Sequence, residues 1–159
     1  MTERIYIGVD PGGHFTGVCA RQGNLRCGGH VLIERDGEMA VYADEVAVEV
    51  HWLLNSYGSR GYECVVAIED VNDPVPHMGL SNVRGLLDTS YLIGFLRASL
   101  DGTDVVMVPP GRHGSAPLGS YPAQLVGARE KRGAGRMRHV RSAWDVAGAA
   151  RTLARQEAA

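Results

Sequence analysis

The chain has 159 residues, of which 45% are hydrophobic and 21% are charged, and its formal net charge at pH 7 is −2. This length and composition predict one globular domain over residues 1–159 and exclude a disordered or fibrous chain. The first residues lead directly into a strand-like pattern and the apolar runs are short, so we expect no signal peptide, no membrane span and a cytoplasmic location.

The cysteines indicate a reducing environment. Cys19, Cys27 and Cys64 are odd in number and lack the paired spacing of zinc-binding motifs. We therefore expect three reduced thiols.

The charges are distributed unevenly along the chain. Residues 1–110 carry 7 arginines and 15 acidic residues, a net charge of −8, whereas residues 111–141 carry 7 basic residues and one glutamate, a net charge of +6. A basic segment beside an acidic body is typical of proteins that bind nucleic acid, although a solvated helix face is the plainer interpretation of a charge run alone. The basic residues of this segment are Arg112, Arg129, Lys131, Arg132, Arg136, Arg138 and Arg141.

The first half of the chain predicts four strands and a helix. Ile5, Ile7 and Val9 alternate with other residues as in a strand, and residues 11–13 form a turn after it. The apolar residues between 40 and 57 follow helical spacing. The predicted strands are 5–10, 15–21, 29–35 and 63–69, the last of them apolar enough to be covered on both faces.

The second half predicts a long helix with more than one apolar side. Ser81 is the expected N-cap of a helix that runs to about residue 100. One side of this helix would meet the sheet, and the other needs a partner, for which a second subunit is the natural candidate. The remaining predicted elements are a strand over 104–108, a long loop over 109–122, a short helix over 122–129 and a last helix that takes in Val140, Trp144, Ala147 and Leu153.

The order of these elements is β-β-β-α-β-α-β-α. Three opening strands at short spacing favour an antiparallel meander, and strands reached across helices favour parallel pairing. The sequence therefore predicts an α/β protein with a mixed five-stranded sheet and helices on both faces.

Three carboxylates stand out by their positions. Asp10 ends the first strand, Glu69 ends the fourth, and Asp145 lies in the last helix. If the two strands are neighbours, Asp10 and Glu69 leave the same sheet edge, and a helix packed there could add Asp145. Three adjacent acids raise one another's pKa unless a cation is bound, and oxygen ligands suit Mg²⁺ or Mn²⁺. The plainer interpretations are a simple Asp-Pro-Gly-Gly turn and an ion pair between Asp145 and Arg141.

Three segments resemble a known family. Ile-Gly-Val-Asp-Pro-Gly-Gly over residues 7–13, Ala-Ile-Glu-Asp-Val over 67–71 and Ser-Ala-Trp-Asp-Val-Ala over 142–147 are similar to motifs of the RuvC-type Holliday junction resolvases, which are crossover junction endodeoxyribonucleases. The length and divergence are more typical of phage-encoded members than of the bacterial housekeeping enzyme, so a host-cytoplasmic location is expected.

The resemblance implies an RNase H-like fold, a homodimer, two bound metal ions and paired nicks in four-way DNA junctions during recombination or repair. It implies that Asp10, Glu69 and Asp145 hold two Mg²⁺ ions, with Mn²⁺ as a substitute, and that one ion activates water while the other stabilises the departing oxygen. We expect the dimer to form through the helix over residues 81–100.

The sequence departs from the family at two places. Ser142 stands where the family has a fourth acid or a histidine, so either water and phosphate oxygens complete the metal shells, or His139 or Asp70 supplies the missing contact. His139 shares a helix face with Asp145 only loosely, and a surface or phosphate contact is its plainer interpretation. Asn72 replaces an aromatic residue that would stack at the junction centre.

The basic segment immediately precedes Asp145, which favours DNA over a solvated helix face. We therefore predict that Lys131, Arg132, Arg136 and Arg138 contact phosphates. The competing hypotheses are a broader branched-DNA or flap endonuclease, a junction-binding protein that does not cut, and an actin-like phosphotransferase, which would need two such domains.

Overall fold

The computed structural model describes residues 3–24, 26–71 and 78–157, and it contains a mixed five-stranded sheet. In the order β3-β2-β1-β4-β5, the first two pairings are antiparallel and the last two are parallel. The predicted sheet is confirmed. The strands are β1 (Arg4–Asp10), β2 (Phe15–Gln22), β3 (Arg26–Glu34), β4 (Glu63–Glu69) and β5 (Asp104–Val108).

Three helices of equal length cover the sheet. They are α1 (Met39–Gly58), α2 (Leu80–Ser99) and α3 (Arg138–Glu157). Helices α1 and α2 lie over one face, where their apolar residues form the main core with Ile7 of β1 and Ile68 of β4. Helix α3 lies over the opposite face, against residues such as Val65 and Ala67 of β4. Strand β4 is therefore covered on both faces, as its sequence predicted.

Two predicted helix boundaries are wrong. Helix α2 begins at Leu80 with Gly79 as its N-cap, because the Gly79 carbonyl already accepts the amides of Asn82 and Val83. The predicted helix over 122–129 is a single 3-10 turn, Ala123–Leu125, after which Val126 is extended.

Strand β3 begins earlier than the predicted residue 29. Gly28 and Gly29, which look like a break in the sequence, lie inside the strand, where the register with β2 shifts at Ala20 and Arg21. An irregularity of this kind accommodates an extra residue without ending the pairing.

Two glycines allow α3 to approach the sheet closely. A Cβ atom on Gly17 would lie 2.1 Å from the carbonyl oxygen of His139, and one on Gly8 would lie 1.9 Å from that of Ala143. No larger residue fits at either position without displacing the helix. Since Gly17 is paired with Asp10, the first turn of α3 lies at the end of β1.

None of the helices in the described part of the chain combines the length and apolar character needed to cross a membrane.

Candidate active site

Asp10 and Glu69 lie side by side at one edge of the sheet. They end the parallel neighbours β1 and β4, whose last register pair is Val9 and Ile68. Their side chains are only 17% and 13% exposed. Burial raises the pKa of Glu69, and the adjacent Asp10 raises it further. The predicted convergence of these two carboxylates is therefore what the structure contains.

The two carboxylates line a cavity of about 420 Å³. Its walls come from the sheet edge, from the loop after β5 and from the segment that leads into α3. Besides Asp10 and Glu69, the lining residues are Phe15, Gly111, His113, Ala134, Gly135, Arg136, Arg138, His139 and Ser142.

His139 and Ser142 are the residues of α3 that face the carboxylates. Nδ1 of His139 lies 3.0 Å from Oδ2 of Asp10, and the ring stacks on Phe15 with 5.7 Å between centroids. The Ser142 hydroxyl donates to Oε2 of Glu69 at 3.4 Å. Three residues apart on a helix, they share one face. The sequence offered His139 and Asp70 as residues that could supply the missing contact, and of these two His139 lines the cavity.

His113 is a cavity residue that the sequence analysis missed. Its Nδ1 lies 2.8 Å from Oε1 of Glu69, which also accepts the Gly111 amide at 3.2 Å. A signal was available: β5 is parallel to β4, so the loop after β5 begins at the edge where Glu69 lies. The sequence predicted a long loop over residues 109–122, but its histidine was not singled out.

The structure does not bring Asp145 into this cavity. One Asp145 oxygen accepts the Gly114 amide at 2.8 Å and the Tyr121 hydroxyl at 2.7 Å, so this carboxylate fastens the loop after β5 to α3. The reason is the direction of the helix: α3 contacts Gly17 through His139 and Gly8 through Ala143, and it therefore runs along the sheet away from Asp10.

Asp70 also lies outside the cavity lining. It is exposed, and its carboxylate accepts the backbone amide of Val71 at 2.9 Å. Asn72, which stands at the position of the expected aromatic residue, lies outside the described residues.

The four basic residues predicted to bind DNA lie in or beside the cavity. Arg136 and Arg138 line it, and Arg138 also lines an adjoining cavity of about 550 Å³ together with Lys131 and Arg132. All four side chains are exposed. Arg136 lies over the Phe15 ring and pairs with Glu34 at 2.8 Å, so its charge is partly balanced.

Arg141 has a different environment from the other basic residues. It is fully buried and forms a double contact with Glu130, at 2.6 and 2.8 Å, while the carbonyls of Leu125 and Gly133 also accept from its two terminal nitrogens. This guanidinium lowers the pKa of Glu130 to about 2. The pair closes the segment before α3 into a fixed loop. The alternative ion pair between Arg141 and Asp145 is therefore wrong.

The donor chemistry of the cavity fits a hard divalent cation. Two adjacent, partly buried carboxylates lie where an added positive charge relieves their mutual repulsion. Across the described ranges no three His, Cys, Asp or Glu side chains are arranged to hold one ion. In the cavity, His113 contacts Glu69 and His139 contacts Asp10. Asp10 and Glu69 would thus be the first ligands, with water completing the shell.

The strand order, the mixed pairing and the acidic edge define the RNase H-like fold. Comparisons with protein-family models and with curated protein sequences find no match. Among solved structures, Thermus thermophilus RuvC in complex with a Holliday junction substrate is similar, with a TM-score of 0.63, 15% identity and 96% of each chain covered. A second structure of T. thermophilus RuvC gives a TM-score of 0.62 at the same identity and coverage. The chain has the fold of RuvC, and the predicted fold class is confirmed.

Proposed function

We propose that this chain is a divalent-metal-dependent endonuclease that cuts four-way DNA junctions by paired nicks. The observation that carries the proposal is the Asp10–Glu69 carboxylate pair at the edge of an RNase H-like sheet, in a cavity bordered by exposed basic side chains. Acidic ligands for a cation and basic residues for phosphate are the two requirements of metal-assisted phosphodiester hydrolysis.

Asp10 and Glu69 would hold the cation, Mg²⁺ or Mn²⁺. When bound, such an ion activates water and stabilises the departing oxygen of the phosphodiester. The two-ion arrangement that the resemblance implies needs a further ligand beside Asp10. His139 is the side chain at the right position, whereas Asp145 is engaged with Gly114 and Tyr121.

The two histidines would orient the carboxylates. Nδ1 of His139 and Nδ1 of His113 each contact one carboxylate oxygen, at 3.0 and 2.8 Å. Among the described residues, Nε2 of neither ring has a hydrogen-bond partner. His113 can therefore exchange a proton with a substrate oxygen while holding Glu69 in place, whereas Nε2 of His139 would be the atom available to a cation.

The exposed basic residues would track the DNA backbone. Lys131, Arg132 and Arg138 line a cavity that adjoins the carboxylates. Contacts of this kind set affinity without reading base sequence, which suits an enzyme directed at DNA shape.

A homodimer through α2 would supply the two active sites that paired nicks require. Leu80, Leu87 and Tyr91 are 90%, 64% and 48% exposed, and their spacing places them along one side of the helix. Burying this stripe against a second copy removes apolar surface from water. This stripe is the second apolar side that the sequence predicted for α2.

Cleavage of defined DNA substrates tests the proposal. Labelled four-way, three-way and flap DNA are incubated with the purified protein and Mg²⁺, Mn²⁺ or EDTA. We expect symmetric nicks in the four-way junction with either metal and none with EDTA. Equal cutting of flaps would favour the broader branched-DNA endonuclease. Tight binding without cutting in either metal would favour the non-cleaving junction-binding protein, which the unacidic Ser142 makes the second candidate.

The dimer proposal has its own test. Tyr91→Glu should convert the protein to a monomer in light scattering coupled to size exclusion, because it places a charge in the α2 stripe. Trp52→Glu is the matched control, since Trp52 is 62% exposed on α1. A monomeric wild type, or equal disruption by both variants, contradicts an interface through α2.

A further inference from the structure

Two of the three cysteines form a pair on adjacent strands. Cys19 of β2 and Cys27 of β3 have sulfur atoms 3.6 Å apart, on the side of the sheet covered by α3. Cys19 is fully buried and Cys27 is partly exposed. Cys64, in contrast, packs with the main core on the opposite face.

We propose that Cys19 and Cys27 form a peroxide-sensitive dithiol that closes to an intramolecular disulfide, with Cys27 as the thiol that is oxidised first. This modification site is independent of the proposed nuclease activity.

The backbone geometry brings the two sulfur atoms together. Cys19 is paired with His30 and Cys27 with Arg21, and the register irregularity at Ala20 and Arg21 lies between these pairs. The two cysteines are therefore diagonal neighbours on adjacent strands. A disulfide needs an S–S distance of about 2.05 Å, so the sulfurs must approach by roughly 1.5 Å from their 3.6 Å separation.

Cys27 has the surroundings of a reactive thiol. Three neighbouring groups stabilise a thiolate at Cys27. They are the Cys19 thiol, the backbone amide of Gly29 and the imidazole of His30, whose Nδ1 is 3.9 Å from the Cys27 sulfur. Together they lower the pKa of Cys27 to about 6, with the contact to Cys19 as the largest cause. Burial raises the pKa of Cys64, and the contact with Cys27 together with burial raises the pKa of Cys19, so Cys27 is the thiolate at neutral pH.

The chemistry balances with hydrogen peroxide as the two-electron oxidant. The Cys27 thiolate attacks one peroxide oxygen, the O–O bond breaks, and the products are a Cys27 sulfenic acid and hydroxide, which takes up a proton to give water. The Cys19 sulfur then attacks the Cys27 sulfur, the S–O bond breaks, and the Cys19 proton leaves with the hydroxyl as water. Two thiols are oxidised to one disulfide, and one peroxide is reduced to two waters.

A metal site is the less favoured interpretation of the same cluster. Cys19, Cys27 and His30 are donors that a soft cation would accept. However, no three His, Cys, Asp or Glu side chains within residues 3–24, 26–71 and 78–157 are arranged to hold an ion. The pair of sulfurs at 3.6 Å is by itself sufficient for oxidation.

The first experiment uses the unmodified protein. Reduced protein is treated with hydrogen peroxide, blocked with iodoacetamide and digested with trypsin without reduction. Cleavage after Arg21 and Arg26 places Cys19 and Cys27 on separate peptides. We expect a single species that joins these two peptides, lighter than their sum by two hydrogens and released by dithiothreitol. Sulfinic acid on Cys27 with no joined species, or joined peptides from two chains, would overturn the proposal.

The second experiment compares the thiols. At pH 7, Cys27 with a pKa of about 6 is about nine-tenths thiolate, whereas Cys64, whose pKa is raised above the ordinary 9.0, is at most about one-hundredth thiolate. The lower pKa reduces the nucleophilicity of the Cys27 thiolate by roughly twentyfold. Because the difference in thiolate fraction is larger, iodoacetamide should label Cys27 at least several-fold faster than Cys64. Cys64→Ser is the matched control and should still form the disulfide. Cys19→Ser keeps a hydrogen-bond donor beside the Cys27 sulfur but removes the second thiol, so it should leave a dimedone-reactive sulfenic acid on Cys27. Equal labelling of Cys27 and Cys64, or no dimedone adduct in Cys19→Ser, would contradict the assignment of Cys27 as the first thiol.

Discussion

The sheet edge and the segment from residue 109 to 137 contribute to the same cavity in different ways. Asp10 and Glu69 end two central strands, and a continuous ladder of backbone hydrogen bonds fixes their positions. The segment 109–137 has only two short 3-10 turns, and a few side-chain contacts hold it. The carboxylates therefore come from the most constrained part of the molecule, whereas the positions of His113 and the basic residues depend on side-chain contacts with α3.

The largest expected effect is on the sheet edge. Asp10→Asn or Glu69→Gln should reduce cleavage on the order of a thousandfold, because a metal ligand contributes several kcal/mol of transition-state stabilisation. Junction binding, measured by gel shift in EDTA, should change little. Asp70→Asn is the matched control, since Asp70 is the exposed neighbour of Glu69 and lies outside the cavity. Full cleavage by either cavity variant would contradict the assignment.

The next largest expected effect is on the ion pair of Arg141 with Glu130, which holds the segment before α3. Glu130→Gln leaves the fully buried Arg141 without its counter-charge, which should cost about 2–3 kcal/mol and lower the melting temperature by about 5–10 °C. The exposed pair of Arg136 with Glu34 offers the control, because Glu34→Gln should cost less than about 1 kcal/mol. Equal losses in the two variants would remove the contrast between the tethers.

The Glu130 tether also predicts a pH dependence. The folded-state pKa of about 2 lies below the ordinary 4.5, so the pair stabilises the fold above about pH 4.5 and this contribution is lost as the pH falls toward 2. The difference in melting temperature between wild type and Glu130→Gln should therefore shrink between pH 5 and pH 3. A difference that stays constant would show that the charge of Glu130 is not its cause.

A substitution of Asp145 distinguishes a metal ligand from a residue that holds the loop after β5. If it is a metal ligand, Asp145→Asn should inactivate the protein as fully as Asp10→Asn. If it fastens the loop through Gly114 and Tyr121, the amide oxygen still accepts both hydrogen bonds, and cleavage should fall only about tenfold. We expect the second result, with Tyr121→Phe producing a similar partial loss in single-turnover cleavage.

The smallest expected effect concerns the basic residues. Lys131→Glu with Arg132→Glu should weaken junction binding by about tenfold at moderate salt and reduce the slope of log affinity against log salt by about 2. Arg60→Glu is a control of the same kind at the opposite end of the sheet, because Arg60 precedes the start of β4. Unchanged affinity and salt slope in the double variant would indicate that Lys131 and Arg132 are solvated surface residues that do not contact DNA.

Local patterns were sufficient for the sheet and for half of the cavity. The alternation in β1 and the apolar run in β4 predicted two strands, each of which ends in an acid, so the sequence predicted that Asp10 and Glu69 meet if the two strands are neighbours. The α3 residues could not be assigned in the same way. The motif around Asp145 suggested a ligand, while the helix face toward Asp10 is set by where His139 and Ala143 meet Gly17 and Gly8.

Sequence alone therefore established the α/β class, the mixed strand pairing expected from short and helical connections, and an acid at the end of two predicted strands, because these depend on periodicity and on neighbouring positions in the chain. The adjacency of β1 and β4 follows only from the folded chain. The same holds for the contacts of His113, His139 and Ser142 with the carboxylates, of Asp145 with the loop, of Arg141 with Glu130, and of Cys19 with Cys27. Each of these contacts depends on the axial position of a helix, the path of an irregular loop or a shift in strand register, and none of those is encoded by a local repeat.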